Sequence, residues 1–193
     1  MNLKLIWIMK KLFLIGTILC VSVSCYSQKV EGTFSIPDSE KFIAVDWDWS
    51  QTVIDKKFSE KEWAAVNGDS YWEKAKLENL VMITRVMNEP LEKARVSVVS
   101  PESSMKTAYT LYICPISYNK KGDNYSDYVL KENSTGLVIG RCQLKGAGGR
   151  IGTVSNLLGD GYEEAALKMG KILMKYNKIR KKSGPAYMKN YDN

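Results

Sequence analysis

Residues Leu137 to Lys175 constrain this chain more than any other stretch. They read as a strand, a connection with glycine at 146, 148, 149 and 152, and a long amphipathic helix. Tyr162, Ala165, Ala166, Met169, Leu173 and Tyr176 recur at three- and four-residue spacing, an apolar stripe that requires a sheet to cover it. Asp160 followed by Glu163 has the form of a capping box and predicts the helix start. Gly170 lies on the stripe. A glycine inside a helix costs roughly 0.5 to 1 kcal/mol relative to alanine, so its presence predicts close approach to the sheet at that point.

The upstream chain supplies that sheet. Residues 28–40 are polar, with Gly32 and Pro37, and read as a lead-in. From Lys41 to Trp49, Ile43, Val45, Trp47 and Trp49 alternate with Ala44, Asp46 and Asp48, the period of a half-buried strand. Gln51 to Phe58 suits an edge strand, and Ser59 to Gly68 a loop with a helical turn around Trp63. A first helix starts at Ser70, which forms a capping-box pattern with Glu73. Its apolar face is Leu77, Leu80, Val81, Thr84 and Met87, and Pro90 ends or kinks it.

Arg95 to Ser100 and Thr107 to Tyr118 read as strands. The second is apolar on both phases, as for a central strand covered on two sides, and Pro115 marks a bulge or an end of pairing. Ser126 to Glu132 and Leu137 to Leu144 form a hairpin through Asn133-Ser134-Thr135-Gly136. Asn133-Ser134-Thr135 also fits the N-glycosylation sequon of a eukaryotic secretory route. The resulting expectation is one α/β (α+β) domain over 41–177, a mostly antiparallel sheet with two helices on one face, followed by a basic tail over 178–193.

The first residues set the compartment. Lys4, Lys10 and Lys11 precede the apolar run Leu12 to Val23, the pattern of a secretory signal peptide over 1–27. Twelve apolar residues fall short of the ~20 that span a bilayer. Translation from Met9 would give a more compact signal and the same mature chain. Cleavage after Ser27 frees a soluble protein. Cleavage before Cys25 would instead lipidate that cysteine, although Ser22 stands where lipoprotein signals carry a leucine-like residue. The expected location is periplasmic or secreted, with an outer-membrane lipoprotein as the alternative. Membrane association is expected only if Cys25 is lipidated.

Charge and residue usage exclude more than they assign. The signal holds three of the 28 basic residues and none of the 21 acids, so the exported chain carries about +4 rather than +7. Lys178, Arg180, Lys181 and Lys182 crowd the tail, and no nucleic-acid partner is expected for an exported protein. The chain has no histidine. That removes Ser-His and Cys-His nucleophile pairs and the commonest metal ligand, and neither a cofactor nor a metal is expected. Cys114 and Cys142 fall in strands, where a disulfide and two buried thiols are both open readings.

Three constellations remain. Asp46 and Asp48 share a strand face about 7 Å apart, a separation compatible with glycosidic acid–base chemistry and equally with an ordinary polar face. Trp47, Trp49, Trp63 and Trp72, with Tyr71, cluster in sequence and suit either sugar stacking or core packing. The glycine-rich connection fails as a nucleotide loop, having Ile151 where the dinucleotide fingerprint needs glycine. Its amides and Arg150 could hold an anion.

The order of elements, with Thr107-Ala-Tyr-Thr-Leu-Tyr and Gly159-Asp-Gly-Tyr-Glu-Glu-Ala-Ala, resembles the α/β domain of cell-envelope auxiliary lipoproteins. These include the penicillin-binding-protein activators and the curli secretion lipoprotein, and the N-terminal domain of the TolB translocation protein is similar. The resemblance implies binding to an envelope protein or self-association, and carries no catalytic residue. A glycan-binding module or weak hydrolase using the tryptophans and Asp46/Asp48 is the alternative.

Overall fold

Strand β5, Tyr109–Tyr118, is the axis of the sheet in a computed structural model that describes residues 29–149 and 151–179. On one side it pairs antiparallel with β6 (Asn124–Glu132), which pairs with β7 (Val138–Gly146), which pairs with β1 (Val30–Gly32). On the other side it pairs parallel with β2 (Phe42–Trp47), which pairs parallel with β4 (Ser97–Val99). The two residues of β3 (Val53–Ile54) also pair parallel with β5, beyond the end of β2. The α/β class holds. The long ladders are antiparallel, and the β2 half makes the sheet mixed.

Pro115 accounts for the break between β2 and β3. It has no amide hydrogen to give a neighbour, the β5–β6 register shifts between Pro115 and Ser117, and the Thr52 hydroxyl donates to the Pro115 carbonyl at 2.8 Å. The β6–β7 hairpin turns through Gly136 at φ 71°, as its sequence predicts.

Three α-helices, α1 (Glu60–Asn67), α2 (Asp69–Asn88) and α3 (Val154–Tyr176), accompany the sheet, with a 3-10 turn over Glu89–Lys93. Helix α3 lies on β6 and β7, and α2 lies on β2 and β4. Both cover the same face, because Trp47 of β2 meets the Tyr162 ring of α3 and donates to the Lys76 carbonyl of α2. No helix or strand among the described residues covers the other face. The double apolar phase of β5 therefore does not reflect two covering layers.

Helix boundaries depart from the sequence reading in an instructive way. The real capping box is Ser59 with Glu62, and it opens α1 where a loop with only a helical turn around Trp63 was expected. Ser70 caps nothing; α2 starts at Asp69 behind Gly68. In α3, Asp160 is interior, and Thr153 is the cap, accepting from the Asn156 amide. The connection before it is thus residues 147–153 only.

The expected face of α2 is rotated. Leu77 and Val81 are 42% and 43% exposed, while Trp72, Ala75, Asn79, Leu80, Ile83, Val86 and Met87 are buried. Asn79 sets this phase: its amide donates to the Ser155 carbonyl at 3.0 Å, tying α2 to the start of α3. Gly170 permits a close approach, but to α2 rather than to the sheet, since a Cβ there would meet the Met87 carbonyl oxygen at 2.3 Å. The sheet is approached at Gly161, whose carbonyl would meet a Cβ on Gly146 at 1.6 Å.

The segment over 28–40 contributes more than a lead-in. Beyond β1 it buries Phe34 and Ile36. Asn177, 1% exposed, fastens this segment to the end of α3. Its amide donates to the Phe34 carbonyl at 2.8 Å, and its oxygen accepts from the Ile36 amide at 3.2 Å and from Arg95 at 3.1 Å. At the opposite edge, Asn88 occupies the outward backbone groups of Val98, donating to its carbonyl at 2.8 Å and accepting from its amide at 2.9 Å.

Candidate functional site

The tryptophans converge, and they converge inward. The rings of Trp47 and Trp49 lie 5.2 Å apart, Trp49 and Trp72 5.2 Å, and Trp49 and Tyr118 5.8 Å. Trp63 packs separately on Phe58 at 6.0 Å. Trp49, Trp63 and Trp72 are buried and Trp47 is half-buried, so the rings spend their faces on each other. Polar contacts anchor the cluster. Trp72 donates to Glu60 at 2.7 Å, and Lys76 bridges Glu60 and Glu73 at 2.6 and 2.7 Å. Burial works to lower the Lys76 pKa, but those two carboxylates outweigh it and hold the ammonium above its ordinary value.

Asp46, in β2, and Asp48, just past its end, are both engaged by neighbouring residues. Asp46 accepts from the Trp47 amide at 2.8 Å, and Asp48 accepts from the Ser50 hydroxyl at 2.6 Å and the Ser50 amide at 3.1 Å. The Ser50 hydroxyl bond is the main reason the Asp48 carboxyl sits below its usual range. A general acid needs the opposite shift.

The cysteines are free thiols, and the fold forbids a bridge. Cys114 pairs with Asp127 and Cys142 with Tyr128, adjacent residues of β6 that face opposite sides of the sheet. Cys142 lies under α3, its sulfur 3.7 Å from that of Met169. Burial pushes its thiol up to about 12, and burial with the Asp48 charge pushes that of Cys114 to about 11. Both are inert at neutral pH.

Arg150 and Cys25 lie outside the described residues, as do 1–28 and 180–193. Within the glycine-rich connection, the Gly148 amide is already taken by a carboxylate of the chain itself, Asp123 at 2.9 Å. No group of His, Cys, Asp and Glu that could hold a metal ion occurs among the described residues, and no helix among them is long and apolar enough to cross a membrane.

The uncovered face of the sheet gathers side chains from four strands: Asp46, then Tyr112 and Cys114, then Asp127, Val129 and Lys131, then Arg141 and Gln143. They pair across strands. The Lys131 ammonium stands 4.7 Å from the Tyr112 ring centre, Arg141 lies 3.9 Å from Asp127, and the Tyr125 hydroxyl bonds Gln143. Asp127 Oδ1 is buried and takes no hydrogen bond among the described residues. Such a surface is broad and mixed, with nothing converging on a point in space.

No protein-family model matches the chain, and no curated protein does. Among solved structures, a PelC dodecamer from Paraburkholderia phytofirmans matches with a TM-score of 0.38 and 11% identity, covering 73% of this chain and 96% of that one. A DUF330 protein from Xanthomonas campestris matches with a TM-score of 0.36 and 11% identity, over 76% and 92% of the two chains. These are proteins other than those the order of elements resembles.

Sequence reasoning missed the uncovered face as a unit. Its signal was present in the polar phase of β6 and β7 (Tyr125, Asp127, Lys131; Arg141, Gln143, Lys145), which no helix is left to cover.

Proposed function

We propose that the chain is an exported cell-envelope domain that acts by binding a protein, either another envelope component or its own copies, and not by catalysis. The observation that supports this reading best is the uncovered face of the sheet. Rings, cations and carboxylates there are spread over four strands and paired in the plane of the sheet, which suits an area contact rather than a reacting centre. Asp127 Oδ1 supplies a buried acceptor for an incoming donor. The signal-like N-terminus supports export, and a chain without histidine, with both described thiols held protonated and Asp46 and Asp48 each engaged by a neighbouring residue, lacks the ordinary means of acid–base or nucleophilic chemistry.

A photo-crosslinking residue at Gln143, in cells, tests this reading against the same probe at Lys74 on the exposed face of α2. Capture of one protein, or of a second copy, from Gln143 and not from Lys74 is expected. Equal capture from both positions, or none from Gln143, removes the sheet face as the contact surface.

A further inference from the structure

A groove of about 590 Å³ runs between β1 and the C-terminal half of α3, with Val30, Ile172 and Tyr176 as its apolar lining. Four lysines rim it: Lys29, Lys168, Lys171 and Lys175. Two have acid partners, Lys29 with Glu31 and Lys168 with Glu164, each at 2.7 Å. Lys171 and Lys175 have no such partner among the described residues. Like charges at this i, i+4 spacing oppose a helix. The helix dipole offsets that cost for Lys175, in the last turn, and not for Lys168 or Lys171 further back.

The first described residue, Lys29, and the last residue of α3, Tyr176, both line this groove. The Phe34 and Tyr176 rings meet at 6.1 Å, joining the two ends.

We propose that this groove seats the protein on an anionic phospholipid surface, with lipid phosphates against Lys171 and Lys175 and the glycerol and upper acyl region against Val30, Ile172 and Tyr176. Charge complementarity selects an anion. The apolar lining between cationic rims matches the headgroup boundary of a bilayer, where lysine stems lie along apolar surface and their heads reach phosphate. A strand-adding peptide is disfavoured because β1 offers only three residues of edge.

The test is co-sedimentation of the exported protein, purified from cells expressing the full chain, with phosphatidylcholine vesicles in which none or a third of the lipid is phosphatidylglycerol. The readout is the increment that phosphatidylglycerol adds, so an acyl chain on the N-terminus cancels. Lys171→Gln with Lys175→Gln, both exposed and chosen to leave the fold intact, is expected to weaken that increment about 30-fold. Lys61→Gln with Lys74→Gln, on α1 and α2, is expected to leave it unchanged. An undiminished increment in the first pair, an equal loss in the second, or full competition by inorganic phosphate would each overturn the proposal.

Discussion

Asn177 and Asn88 show how much a single side-chain amide can organise. Asn177 satisfies backbone groups of the N-terminal segment from a fully enclosed position, so Asn177→Ala should cost about 2 to 3 kcal/mol, read as a lower urea midpoint. The thiols give a pH dependence whose sign follows from their surroundings. Both folded pKa values lie above the ordinary 9.0, near 11 and 12. The fold therefore favours the protonated form. That contribution is complete below pH 9 and is lost as pH rises toward 11 and 12. Urea midpoints should fall between pH 8 and pH 10.5, and less steeply in Cys142→Ala; a flat profile would mean the thiols are not enclosed. At this scale the sequence was legible where a residue type has one strong habit. Pro115 marked its bulge and Gly136 its turn. It was illegible where a polar residue works in the core, since neither Asn79 nor Asn177 carries a pattern that separates it from a surface asparagine.

Elements were legible in kind and displaced in phase or boundary. Alternation in 41–49 and the hairpin through Gly136 gave the strands, because a period of two survives local noise. Helix α3 was read as starting too late. Gly159 and Gly161 look like loop residues, yet they sit inside the helix where backbone and Asn79 come too close for a side chain. The same logic makes a prediction at Gly170. Alanine has about 1 kcal/mol better helix propensity than glycine, but its methyl would strike the Met87 carbonyl, a backbone atom that cannot rotate away. Overpacking wins, and Gly170→Ala should destabilise by about 1 to 3 kcal/mol in thermal unfolding; a raised melting temperature would mean α2 and α3 can separate freely. Deleting residues 28–40 should remove about 3 to 6 kcal/mol, from the burial of Phe34 and Ile36 alone. A shortened chain with an unchanged urea midpoint would restore that segment to a mere lead-in.

For the whole molecule, the class of fold was readable and the binding surface was not, because a face is composed from strands distant in sequence and its exposure depends on where two helices go. The tryptophans illustrate this: adjacent in sequence and suggestive of a ligand platform, they are folded into mutual contact. Native emission should be blue-shifted, resistant to iodide and unmoved by oligosaccharides, and a saturable shift with a glycan would return the cluster to a ligand role. The joining of the two ends has a temporal consequence. Phe34 and its clamp Asn177 are separated by 143 residues, and the first strand pairs with the last. A chain that emerges amino end first, from a ribosome or through a pore, can pair β2 with β4 and β5 early, but it cannot seat β1 or close the Phe34–Asn177 clamp until almost all of it has arrived. The topology leaves the amino-terminal segment as the last piece to be fastened, at the end of the chain's passage.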